Sequence, residues 1–248
     1  MRHIILIITA LFITISSQAQ TSDLQLVNLE RSIHQVTSAF HMYSLEEGGK
    51  QARQNLSQSL TGLQQQIAIS SLDAQSKALA TQYQQMAQSM AEGNVGQTDL
   101  YISNDMRHVR KQLLASLQLA RSSQLPSSPD FMASHLATLM QDMLAQYVEL
   151  ADYAFGLGTL GDSENRITIP EKSALFSAQL KQLQTLSQSS SWKSEYQKID
   201  RKWAFLNKQI NGYQKRTAPF AIARFSEQIT RALDNIRQQS TPKQLTAE

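Results

Sequence analysis

The chain has 248 residues, no cysteine, 23 Lys plus Arg against 20 Asp plus Glu, and 7% aromatic residues. The missing cysteines exclude a disulfide framework, thiol catalysis and thiolate metal sites. A formal charge of +3 is too small for a non-specific nucleic-acid binder, and the length suffices for one large or two small apolar cores.

The first element reads as a targeting segment. MRHIILIITALFITISSQAQ sets Arg2 ahead of an unbroken apolar run from Ile4 to Ile15, and Ser17 and Ala19 fit a small-residue processing site. The pattern predicts a signal peptide over residues 1–19, a mature chain from Gln20 and a periplasmic or secreted location. The apolar run is short for a bilayer span, so the mature form is expected to have none.

Residues 24–47 keep Leu26, Leu29, Ile33, Val36, Phe40 and Tyr43 at three- and four-residue steps, which predicts an amphipathic helix ended near Gly48 and Gly49. Further helices are predicted over 50–69, 72–91, 99–121, 129–155, 171–188, 191–211 and 218–238. Gly93, Ser128 with Pro129, Pro170 and Thr217 punctuate them. Only Arg166 to Ile169 hints at period-two alternation, so the expected fold class is all-α.

Laid over itself at an offset of 120, the chain places Leu56 and Leu63 on Phe176 and Leu183, Tyr83 on Trp203, and Val109 and Leu113 on Ile229 and Leu233. The first helix matches the fifth at an offset near 107, where Leu29, Ile33, Val36 and Phe40 fall on Leu136, Met140, Met143 and Tyr147. Two tandem antiparallel four-helix units follow from this, 20–122 and 129–239, with a linker at 123–128 and a tail at 240–248. They are compatible with two bundles or one elongated one.

A long first helix, a shorter second and a third ending in IDRKWAFLNKQI resemble the repeated helical modules of the PilJ-like periplasmic sensor domains of type IV pilus methyl-accepting chemotaxis transducers. The resemblance covers most of the mature chain and implies a sensor-like helical bundle. The arginine-rich stretch common on that family's first helix is replaced by LERSIHQVTSAF, in which Arg31 is the main cation. The implied form lacks that motif, and with no membrane span or signalling coiled coil after Glu248 it is expected to be stand-alone.

Several motifs reduce to ordinary structure. GLGTLG at 156–161 matches G-x-G-x-x-G, but a predicted helix precedes it and a loop follows, the reverse of a dinucleotide fingerprint. Asp162, Glu164 and Asn165 lack the spacing of a calcium loop. Met132, His135, Met140 and Met143 share an arc that would suit Cu(I), yet Leu136, Leu139 and Leu144 share it too and make it core. His34 and His41 stand about 10.5 Å apart along a helix, too far for one ion without a third ligand, and read as ordinary surface or core histidines. No nucleophile, metalloprotease or P-loop pattern occurs, so neither an enzyme nor a cofactor is expected.

One segment stands apart. Residues 192–225 hold both tryptophans and eight basic residues. Trp192, Tyr196, Ile199, Trp203, Leu206 and Ile210 follow the spacing of a buried seam. Arg201, Lys202, Phe205 and Lys208 project away from it and form the candidate partner surface. Packing on the neighbouring unit is the ordinary expectation for Phe205, and reception of an envelope protein or a small anionic ligand is the functional one. The sequence thus predicts an exported, non-enzymatic binding module of sensor-like type, with a structural or assembly accessory of the envelope as the alternative.

Overall fold

The computed structural model describes residues 2–92, 100–121, 127–155, 168–187, 190–212 and 218–240, with side chains described from residue 22 in the first helix, from 104 in the fourth and up to 153 in the fifth. The side chains of the processing site, the GLGTLG loop with Asp162, Glu164 and Asn165, the centre of the linker and the tail after Ser240 lie outside what is described. Eight helices are present among the described residues, and no strand. They are α1 (Arg2–Leu45), α2 (Lys50–Ile69), α3 (Ala74–Glu92), α4 (Leu100–Ala120), α5 (Pro129–Phe155), α6 (Ile169–Ser187), α7 (Lys193–Ile210) and α8 (Pro219–Ser240). Of the stretch Arg166 to Ile169, the first two residues lie outside the described ones, and Ile169 opens α6. Among the described residues no helix is long and apolar enough to cross a membrane.

Local chemistry sets the ends. The α1 terminus closes with Gly48 N–H donating to Tyr43 O at 2.9 Å and Glu47 N–H to Ser44 O at 3.0 Å, the paired bonds of a Schellman motif. The left-handed residue of that motif is Glu47, at φ 50°, with Gly48 following at φ 79°. Asp73 caps α3, accepting from Ser76 N–H at 2.7 Å, and this bond holds its carboxyl below the usual range. At α6, Glu171 reaches back to accept from Thr168 N–H at 2.6 Å and from its hydroxyl at 2.8 Å, the carboxylate half of a capping box, and the helix opens two residues earlier than the periodicity suggested.

The apolar core falls into two clusters. The first is built by α1 to α4 around Leu29, Ile33, Val36, Leu56, Tyr83 and Leu113. The second is built by α5 to α8 around Leu136, Met140, Phe176, Trp203, Leu206 and Leu233. Helices α7 and α8 pair antiparallel, as Phe205 with Phe225 and Glu195 with Asn235 show. Tyr83 and Trp203 are both buried, but Tyr83 Oη lies 2.8 Å from Thr37 Oγ1 on α1 while Trp203 Nε1 donates to Ser177 Oγ on α6 at 3.0 Å. The two halves also differ in closure: α8 lies along α5, whereas α4 touches α1 at few points.

The halves meet where α1 runs beside α5. Thr138 Oγ1 donates to Val27 O at 3.1 Å, and His41 Nδ1 lies 2.8 Å from Asp152 Oδ2. Residue numbers rise together across these pairs, so the two helices are parallel. Each therefore carries two stripes, an apolar one facing its own core and a second facing the other helix.

Candidate functional site

The predicted partner surface lies on the outer side of the α7/α8 hairpin. Trp192, Tyr196, Ile199, Trp203, Leu206 and Ile210 are all buried in the second core, and the Trp203 ring sits 4.3 Å from that of Phe176. On the opposite arc Phe205 is 49% exposed, with its ring 4.8 Å from that of Phe225 on α8. The expectation that Phe205 packs on the neighbouring unit is corrected here, because its ring partner belongs to the adjoining helix of the same unit. The α1/α5 contact that joins the halves involves neither α7 nor its outer face.

Arg201 and Lys208 are exposed beside this ring and Lys202 is half-buried. Phe220, 54% exposed, and Arg224 extend the surface onto α8. Arg201 Nε donates only to Gln197 O, at 3.3 Å. Among the described residues no carboxylate pairs with Arg201, Lys208 or Arg224, although nearby Lys198 pairs with Glu195 at 2.6 Å and Arg231 with Glu227 at 2.5 Å. Charge is concentrated on these helices: α7 carries five cations against two carboxylates and α8 three against two, a surplus of four where the whole chain has +3.

A second polar region was missed by the sequence reading. The stripe Val27, Arg31, His34, Ser38 and His41 of α1 and the stripe Ser134, Thr138, Gln141 and Ala145 of α5 match at the same offset of 107 as the apolar stripes. Val27, His34, Ser38, His41 and all four α5 residues are buried. Ion pairs fill the rest of the seam. Glu149 accepts from Arg107 Nε at 3.0 Å and from Arg110 Nη2 at 2.8 Å, while Lys172 Nζ meets Asp142 Oδ2 at 2.7 Å. Arg31 grips Asp234 of α8 with two bonds of 2.7 and 2.6 Å, Arg121 pairs with Glu30, and the Arg107 guanidinium lies 4.7 Å over the Tyr153 ring.

The electrostatics follow from burial. Desolvation lowers the His34 pKa to about 4 against the pull of Asp142, whose nearest oxygen is 3.6 Å from Nδ1, so the imidazole is neutral near pH 7. Burial alone would raise Asp142, but His34 and Lys172 hold it below the usual carboxylate range. Burial also opposes the charge of Arg110, and Glu149 overrides it. Such a cluster fixes the register of two helices.

The remaining sequence candidates resolve as structure. Met140 and Met143 are in the core, and His135 stacks on Phe131 and lies 2.9 Å from Gln179 Oε1. Among the described residues no group of three or more His, Asp or Glu side chains could hold a metal. No protein-family model, curated protein or solved structure matches this chain.

Proposed function

We propose that this protein is an exported, non-enzymatic helical-bundle module of the cell envelope that works by surface contact, with the outer face of α7 and α8 meeting an anionic partner. The observation that carries this reading is Phe205, half-exposed with its ring against that of Phe225, on helices where Arg201, Lys208 and Arg224 have no carboxylate partners. Cations left unpaired beside an exposed ring suit a partner that brings negative charge and apolar surface together.

Of the two modes the sequence leaves open, presentation of a groove between the units and contact through an exposed face, the second is favoured. The place where the units meet is occupied by paired side chains of the protein itself. A sensor-like role of PilJ type, with a small ligand seated between helices, is the weaker reading for that reason.

Expression with an affinity tag, followed by fractionation, tests the proposal. The wild type is expected in the osmotic-shock fraction and on isolated envelopes at low salt, with release as salt rises. An Arg201→Glu, Lys208→Glu variant is expected to keep its helical circular dichroism and lose envelope retention. Cytoplasmic accumulation of wild type, or equal retention of the variant, would overturn it.

A further inference from the structure

We infer that the α7/α8 face seats the protein on an anionic phospholipid surface. This deepens the contact reading above and rests on it, since it names what the face meets.

Charge makes the first part of the argument. The two helices hold a surplus of four positive charges while the whole chain has +3, so the remainder is net negative by one. Near a sheet of lipid phosphates such an asymmetry turns α7 and α8 towards the surface and the rest of the bundle away from it. Each Lys or Arg close to an anionic bilayer strengthens binding about fivefold, and Arg201, Lys208 and Arg224 have no internal carboxylate to leave first.

The apolar part is placed to match. Phe205 and Phe220 are both about half-exposed, one on each helix, and Phe225 backs Phe205 with its ring 4.8 Å away. Rings flanked by long cationic side chains suit the boundary between headgroups and acyl chains: the rings enter, and the cations stay with the phosphates. Two antiparallel helices offering their long sides present a strip, which fits a plane.

A bilayer is favoured over an acidic protein by the way the cations are held. Arg201 has one weak bond to its own helix, and no ion pair fixes Arg201, Lys208 or Arg224 in one geometry. A protein carboxylate at a defined position is best met by a pre-organised fork. Dispersed, unconstrained cations on two helices match the delocalised charge of a lipid surface instead.

The test uses the exported chain, purified from the periplasm, and sedimentation with vesicles. One set is pure phosphatidylcholine, and the other contains about one third phosphatidylglycerol. The wild type is expected to sediment with the second set only, and to be released as salt rises from about 0.05 to 0.5 M. The Arg201→Glu, Lys208→Glu variant should bind at least about 20-fold more weakly, from the loss of two cations alone. A Phe205→Ser, Phe220→Ser variant should bind more weakly while keeping the dependence on phosphatidylglycerol. Circular dichroism and melting controls ensure that folded variants are compared. Absence of phosphatidylglycerol-dependent sedimentation, or equal binding by the charge-reversed variant, overturns the inference. If vesicle binding fails while envelope retention still depends on Arg201 and Lys208, the partner is a protein, and the surface-contact function stands without the bilayer. If neither depends on those residues, both fall.

Discussion

Along the α1/α5 seam, Arg107 and Arg110 share one buried carboxylate, Lys172 holds Asp142, and His41 and Ser44 both lie against Asp152. On the outer side of α7 and α8, Arg201, Lys208 and Arg224 stand exposed with no carboxylate paired to them, on the same two helices as the half-exposed Phe205 and Phe220. The same residue types serve opposite ends. In the seam the charges are largely withdrawn from water, Glu149 and Arg110 most of all, so their partners become obligatory and hold the helices in register. On the face each charge stays hydrated, contributes little to folding and remains free for a partner. Substitutions in the seam should therefore move stability and spare binding, and substitutions on the face should do the reverse.

The largest effect is expected at Glu149. Replacing it with Gln keeps the volume but leaves Arg107 and Arg110 charged and buried without their counter-ion, which should cost about 3–5 kcal/mol. Urea unfolding should show a lower midpoint with an unchanged slope. Vesicle and envelope binding of the protein that remains folded should match wild type. A midpoint shift no larger than that of an exposed charge would show that the seam is not carrying the two halves.

Acid should find the same seam through His34. Its pKa is near 6.5 when unfolded and about 4 when folded, so the unfolded chain takes up the proton first as pH falls. Stability is then lost between pH 6.5 and 4, by about 3 kcal/mol in all. His135, lowered first by burial, acts in the same direction. Below that window Asp142 joins, since a carboxyl held below its usual pKa gives up its contribution only as it is protonated. Unfolding at a series of pH values should show a shallower slope between pH 6.5 and 4 for His34→Gln. Identical slopes in the two proteins would place the acid sensitivity elsewhere.

The all-α class and the helix limits from α2 onward were legible to within about two residues, because apolar periodicity and capping residues act locally. What sequence missed is the second stripe of α1 and α5. Val27, Arg31, His34, Ser38 and His41 repeat at steps of four, three, four and three, but periodicity is looked for in apolar letters, and here the buried seam is written in polar ones. The sequence identifies His34 and His41 as ordinary surface or core histidines but not their partners Asp142 and Asp152, which lie more than 100 residues away on α5. The α1 terminus was placed at glycines, yet the left-handed position of its Schellman motif is Glu47. On the outer face, Arg201, Lys202, Phe205 and Lys208 were found by helical angle. Phe220, Arg224 and Phe225 were not, because their proximity depends on how α8 folds back along α7. A signal was available in the concentration of aromatic and basic residues that continues through Phe225.

The smallest effects on stability belong to the outer face, and they sharpen the contrast most. Phe205 is 49% exposed, with its ring against that of Phe225, so Phe205→Ala should cost about 1 kcal/mol, far below a fully buried aromatic. Arg201→Ala and Lys208→Ala should change stability by less than about 0.5 kcal/mol, since neither cation has an ion-pair partner to strand. Added salt should leave the melting temperatures of these two variants parallel to wild type, for the same reason. Thermal melts of the three single variants beside Glu149→Gln, each paired with a binding assay, measure both regions on one scale. If Phe205→Ala cost as much as Glu149→Gln, the ring would be a structural element of the α7/α8 hairpin, and the face would have no claim to be held open for a partner.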